Sequence, residues 1–262
     1  MIRAMRTAAT GMKAQQLNVD NIAHNLANVN TTSFKKGRVE FQDLFYQQTK
    51  VPGNPTATGE DSPANLEIGY GATPVSTQRM FTQGEMVQTG NPLDLAIEGD
   101  GFFRVVLAQG GEAYTRDGSF KLSAEGRVMT SDGYTLDPDI TIPEDATAIS
   151  VSSDGLVSVT LGSDTTPQPV GQLEIVRFIN PAGLTALGQN IFQQTPASGE
   201  ALPGTPGADG LGQLNQGYLE VSNVDIVEEM IALISAQRAY EVNSKAIKTS
   251  EDMMSMANNL TR

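Results

Sequence analysis

Any nucleophilic device in this 262-residue chain has one histidine and no cysteine to draw on. A Ser-His-Asp arrangement would have to use His24, which lies between Ala23 and Asn25 in a helical pattern with no nucleophile near it in sequence. His24 therefore reads as a polar packing or solvent-facing residue. Without thiols there are no thiolate nucleophiles, disulfide staples or cysteine-held metals, and the redox compartment stays open. Gly99-Asp100-Gly101 begins like a dinucleotide loop, but Arg104 occupies the place of the third glycine and the fingerprint fails. Asp132, Asp137 and Asp139 lack the ligand series and closing glutamate of a calcium loop, so turn formation is their reading. A pair of carboxylates flanking a sugar bond remains the enzyme alternative, since its separation of about 5 to 9.5 Å is a property of the fold. No catalytic, cofactor-binding or metal-ligating residue is assigned, and the chain reads as a non-enzyme needing no cofactor.

The net charge of -13 opposes nucleic-acid binding, which needs surplus Lys and Arg for phosphate contacts. That charge is uneven. The first fifty residues carry seven Lys or Arg against three Asp or Glu, while residues 216–262 carry four against seven, so the middle holds most of the negative excess. Membrane insertion is not expected: the apolar runs are short, and the start, Met-Ile-Arg-Ala-Met-Arg, lacks the apolar stretch of a secretory signal. A lipid-binding helix would want a basic polar face, and the C-terminal stretch is net acidic.

Stepping outward to the elements, Ile2, Met5, Ala9, Met12, Val19, Ala23 and Leu26 recur at three and four, with Gln16 as the polar interruption. A second line of Ala8, Met12, Val19, Ile22, Leu26 and Val29 widens the apolar face beyond a two-stranded seam. The C-terminal stretch repeats the pattern with Ile226, Met230, Leu233, Tyr240, Ile247 and Met254 on one line and Ala239, Val242, Ala246, Met253, Met256 and Leu260 on another. Asn223 or Asp225 suits its N-cap, with Glu228 and Glu229 at the positive end of the dipole. Between the helices, Asp-Gly pairs at 100, 117, 132 and 154 punctuate short β-prone runs such as Phe102–Leu107 and Ile149–Val151, and Gly171–Ile179 is a later strand. Val51–Pro74 and Pro196–Gly212 read as loops. The expected fold is α+β: an assembly helix over 1–32, a small β region with an extended insert over 33–75, an outer antiparallel β domain over 76–215, a return connection over 216–225 and a second assembly helix over 226–262.

Helices of this kind are marginal alone, and their faces are wider than one mutual pair covers. A dozen apolar side chains, each worth roughly 1.5 to 3 kcal/mol when buried, offset the ordering cost only once neighbours cover them. The expectation is a helical polymer in which Ile2, Met5, Met12, Val19, Ile22 and Leu26 pack with Ile226, Met230, Leu233, Tyr240, Ile247 and Met254, the free subunit being ordered only in its middle. The bland alternative is an intramolecular helical hairpin packed on the sheet, and the alternatives from other classes are a monomeric adhesin-like binding module or a secreted β-domain glycoside hydrolase.

The stretch from Asn18 to Lys36, with Asn21, Asn25 and Asn28 at helical spacing and then Thr31-Thr-Ser-Phe34-Lys35, resembles the N-terminal signature of the bacterial flagellar rod and hook family. Gly99–Arg104, Tyr114–Phe120, Gln216–Asp225 (with Asn223) and Gln237–Ile247 (with Arg238 and Asn243) are similar to further motifs of that family. His24 stands where the family usually has Asn, and Ser33 where Gly is frequent, so the turn after the first helix is expected to close differently. The resemblance implies terminal helices forming the inner tubes of a helical homopolymer and a β domain facing outward. Length and insert are most like the family's hook-side (distal) rod members, hook subunits usually carrying larger outer domains. That place implies proximal rod proteins, the hook protein or a hook-side adaptor, and the surrounding basal-body rings as partners. It also implies a location in the basal body across the periplasm, reached through the flagellar type III export apparatus without a cleaved signal. Pro52, Gly53, Pro55 and Pro63 of the insert are expected to keep the polymer straight by resisting sliding between subunits.

Overall fold

The structure, a computed structural model, describes residues 2–50, 65–107, 110–162 and 166–260. The chain is α+β, and it divides into two compact units, one built from residues 1–27, 37–78 and 225–262 and the other from 28–36 and 79–224.

The first unit holds both long helices, α1 (Ile2–Ala27) and α2 (Ile226–Leu260). At about 1.5 Å per residue they are roughly 40 and 50 Å long. Asp225 caps α2, its Oδ1 accepting from the backbone N–H of Val227 at 2.7 Å and of Glu228 at 3.1 Å. Two ribbons complete the unit: β1 (Gly37–Asp43) with β4 (Ala72–Arg79), and antiparallel β2 (Tyr46–Lys50) with β3 (Leu66–Gly69). The β2–β3 register pairs Tyr46 with Gly69 and Gln48 with Glu67. Pro52, Gly53, Pro55 and Pro63 of the insert lie outside the described residues.

Among its described residues the second unit has β-strands and one turn of 3-10 helix at Pro181–Gly183. Its main sheet centres on β7 (Phe102–Val106), which pairs antiparallel with β8 (Glu112–Thr115), β11 (Thr135–Asp137) and β15 (Ile175–Arg177). In the same sheet β10 (Val128–Met129) and β9 (Lys121–Leu122) follow β11, β17 (Ile191–Gln193) and β16 (Thr185–Gly188) follow β8, and β18 (Leu202–Gly204) pairs with β15. Alternation along β7 feeds two cores. Phe103 and Val105 enter the large one, with Ile97, Phe120, Leu136 and Ile175, while Phe102 enters an aromatic cluster with Tyr114, Phe178 and Phe192. Phe103 meets Phe120 edge to face at 5.1 Å, and Tyr114 meets Phe178 at 4.8 Å. Leu107 packs on the first core, as the alternation predicts.

Three antiparallel strands, β12 (Ala146–Val151), β13 (Leu156–Leu161) and β14 (Gln168–Gln172), form a second sheet. The single strand expected over Gly171–Ile179 is two, β14 and β15. Between them the backbone N–H of Leu173 donates to the Gly155 carbonyl at 2.8 Å, and the Leu173 side chain dives into the core. The returning chain adds two strands, β19 (Gln213–Gln216) on β6 (Leu95–Glu98) and β20 (Tyr218–Glu220) on β5 (Met86–Gln88). Residues 216–220, expected as a connection, are thus part of the β unit.

Candidate assembly surface

In the first unit α1 and α2 run antiparallel, because Asn25 meets Glu229 while Gly11 meets Asn243. The least exposed positions of α2 are Glu229, Ala232, Leu233, Ala236, Ala239, Asn243, Ile247, Ser250 and Met254, spaced mainly by three and four. On α1 the buried positions are Ala8, Ala14, Ile22 and Asn25, with Gly11, Gln15 and Asn18 half-covered between them. The seam is therefore made largely of small and polar side chains. A Cβ added to Gly11 would lie 3.0 Å from Asn243 Nδ2, a sign of how closely the backbones approach.

Four of the large apolar residues expected to assemble, Ile22, Leu233, Ile247 and Met254, lie on this seam. Of the residues expected to assemble, Ile22 is buried; Met5, Met12, Val19, Leu26, Leu233, Ile247 and Met254 are half-covered; and Ile2, Ile226, Met230 and Tyr240 are exposed. On the side of α2 turned away from α1, Val227, Ile231, Ile234 and Val242 form an open stripe, with Val227 66% and Ile231 60% exposed. Arg238 interrupts that stripe in the middle, exposed like its neighbours. A contiguous apolar stripe of this kind marks a candidate surface for contact with another molecule.

The asparagines at the end of α1 bind backbone. Asn25 Oδ1 accepts the Gly37 N–H at 2.9 Å and Asn25 Nδ2 donates to the Gly37 carbonyl at 2.9 Å, pairing with that residue as a neighbouring strand would. The same Nδ2 donates to Glu229 Oε2 at 3.2 Å, and Asn21 Nδ2 adds a bond to the Gly37 carbonyl at 2.8 Å. A Cβ on Gly37 would sit 2.8 Å from Asn21 Oδ1. Two amides thus hold the start of β1 against α1, which accounts for residues of poor helix propensity inside a helix. Asn28 shapes the turn that follows, accepting from the Thr31 hydroxyl at 3.2 Å.

In the second unit a buried charge cluster joins four segments. Lys35 Nζ lies 2.5 Å from Glu220 Oε1, Arg116 Nε donates to Glu220 Oε2 at 2.9 Å, and the Gly84 N–H donates to Oε1 at 2.8 Å. Lys35 also donates to the Thr82 carbonyl at 2.7 Å, while the Arg116 guanidinium reaches the carbonyls of Gly99 at 3.0 Å and Gly101 at 3.2 Å. Asn223, a capping candidate on sequence, works here instead: its Oδ1 accepts the Lys36 N–H at 2.7 Å and its Nδ2 donates to the Met80 carbonyl at 2.8 Å.

Burial by itself pushes the Glu220 carboxyl up, but Arg116 and then Lys35 outweigh it and hold the group below its ordinary range. Burial and the neighbouring Arg116 draw the Lys35 ammonium down, against the opposing pull of Glu220. The turn at Ser33 closes with a left-handed φ of 55°, its N–H donating to the Glu220 carbonyl at 2.8 Å and its hydroxyl to the Arg116 carbonyl at 2.8 Å. Phe34 is buried beside it, with Arg79 over its ring at 5.9 Å.

Sequence reasoning named Lys35 and Asn223 but missed Arg116 and Glu220. The signal available was that both sit inside quoted motifs, and that Glu220 is a charged residue between the apolar Leu219 and Val221. His24 is exposed, and no cluster of three or more metal-ligating side chains occurs among the described residues. No helix of the described residues is long and apolar enough to cross a membrane.

Comparison with known proteins follows the same geography. Residues 5–35 match the family described as flagella basal body rod protein, residues 96–159 the flagellar hook protein FlgE/F/G D1 domain, and residues 215–260 the flagellar basal body rod FlgEFG protein C-terminal region. Each matched segment supplies one charge of the buried cluster: Lys35, Arg116 and Glu220. Among curated relatives, the flagellar basal-body rod protein FlgG of Borreliella burgdorferi is 52% identical with both chains covered throughout. That of Caulobacter vibrioides is 47% identical over 99% of each, and that of Bacillus subtilis 39% identical over the whole of both.

Proposed function

The chain belongs to the flagellar basal-body rod protein family, and on that premise we propose that it is a structural subunit of the distal rod, polymerising through its terminal helices into a straight hollow shaft that passes torque to the hook. The observation that carries this reading is the open apolar stripe of α2 on the side turned away from the α1 seam, where Val227, Ile231 and Ile234 stand exposed. A subunit surrounded by copies of itself would bury it. The acidic outer body would limit chance association with other molecules. Proximal rod proteins at one end, the hook protein or a hook-side adaptor at the other, and the surrounding rings are the neighbours this position requires. Delivery would use the flagellar type III apparatus, with the assembled rod crossing the periplasm. Catalysis has no part in this reading.

Electron microscopy of the concentrated chain tests it, the expected result being straight hollow cylinders. Removal of Val51–Asn65 is expected to give curved or flexible ones, since the proline-restricted insert is assigned to resisting sliding between subunits. A chain that stays monomeric at every concentration, or that sustains peptidoglycan hydrolysis abolished by changing one Asp or Glu, overturns the structural reading.

A further inference from the structure

With cysteine absent, thioethers carry the only oxidisable sulfur in the chain. Among the described residues Met5, Met12, Met80, Met86, Met129 and Met254 are at least half-covered. The other three, Met230, Met253 and Met256, are 50%, 43% and 58% exposed. All three lie on α2 and outside its seam with α1, two of them continuing the outer stripe beyond Val242 by helical steps. Among the described residues, exposed sulfur is thus confined to the helix proposed to be buried between copies.

We propose that Met230, Met253 and Met256 form an oxidative modification site, at which two-electron oxidants of the hypohalous acid class block polymerisation of the free subunit. The inference rests on the self-assembly reading above. In each event hypochlorous acid transfers its oxygen to the thioether sulfur; sulfur loses two electrons, chlorine leaves as chloride and a proton is released. The product is a sulfoxide, polar and hydrogen-bond accepting, on a face that assembly must dehydrate. A buried sulfoxide without a donor carries the cost of any orphaned polar group, and it recurs in every copy. The seam of α1 with α2 contains none of the three sulfurs, so the subunit keeps its own fold. Sulfoxide reductases reverse the step while the subunit is free, whereas the polymer shields the same sulfurs by covering them.

The test treats dilute wild-type subunit with limiting hypochlorous acid, quenches it with free methionine, and follows oxygen uptake by peptide mass mapping, helicity by circular dichroism and polymer by sedimentation. Oxidation is expected first at Met230, Met253 and Met256, with helicity unchanged and polymer yield reduced about tenfold or more. Incubation with methionine sulfoxide reductases of both epimer specificities restores the yield. The variant carrying M230L, M253L and M256L, volume-conserving changes, polymerises normally and keeps its yield after oxidant. Normal polymerisation of the triply oxidised wild type overturns the proposal, as does an equal loss of yield in the leucine variant under oxidant. Failure of the untreated wild type to polymerise refutes the self-assembly reading beneath it, a result recognisable because it precedes any oxidant.

Discussion

At the scale of single residues, the cluster of Lys35, Arg116 and Glu220 is where one atom group matters most. Two buried cations share one carboxylate. Replacing Glu220 with Ala leaves both without a counter-charge, at an expected cost of about 3 to 5 kcal/mol to the β unit, measurable as a lowered urea midpoint. Acidity probes the same group. Its folded pKa is depressed, so its contribution is fully present above the unfolded value of about 4.3 and is lost as pH falls through the lower folded value. Stability of the wild type should therefore fall more steeply below that point than stability of Glu220→Gln, and identical acid slopes would sink the assignment. Ser33 shows a different solution at this scale: a non-glycine residue accepts a left-handed backbone where its hydroxyl is tied to the Arg116 carbonyl.

At the scale of elements, the two faces of α2 separate folding from assembly. Ile231→Glu, on the open stripe, is expected to change subunit stability by no more than about 0.5 kcal/mol while stopping polymerisation. Ala236→Leu, on the seam, overpacks the approach to α1 at about 1 to 3 kcal/mol and should lower helicity of the free subunit. Circular dichroism with sedimentation on both variants decides, and the idea fails if Ile231→Glu loses helicity or still polymerises. Sequence periodicity had made the helices legible, and the Asp-Gly pairs had marked the β region. It showed the face that pairs within the subunit only in part, through Ile22, Leu233, Ile247 and Met254, because hydropathy ranks side chains by size while close approach also selects Gly11, Ala236 and Ser250. Asp117-Gly118 was legible as a turn signal for the wrong reason. A Cβ on Gly118 would collide with the Leu95 carbonyl oxygen, whereas Gly133 and Gly155 hold left-handed φ of 88° and 86° as turn glycines do. The charge cluster was illegible for a third reason, since its members are brought together only by pairing between distant strands.

At the scale of the molecule, two units with unlike interiors should differ in stability. The β unit encloses a continuous apolar core from Leu95 to Leu214, while the helix pair shares a seam in which small and polar groups outnumber large apolar ones. Amides of 230–250 in the dilute monomer are therefore expected to exchange with solvent far faster than those of Phe103 and Val105, in keeping with terminal helices that consolidate on assembly. Equal protection by hydrogen-exchange NMR would rule that out. The same architecture also bears on timing. Lys35 and Glu220 are separated by 185 positions, and β5 and β6 take as partners β20 and β19 from the returning chain. A polypeptide leaving a ribosome or a pore with its N-terminus first presents Lys35 early, and no carboxylate yet exists to receive it. The β unit cannot seal until Glu220 emerges, so closure is a certificate of completeness: chains interrupted before Tyr218 should remain open to protease along their whole β region, and full-length ones should not.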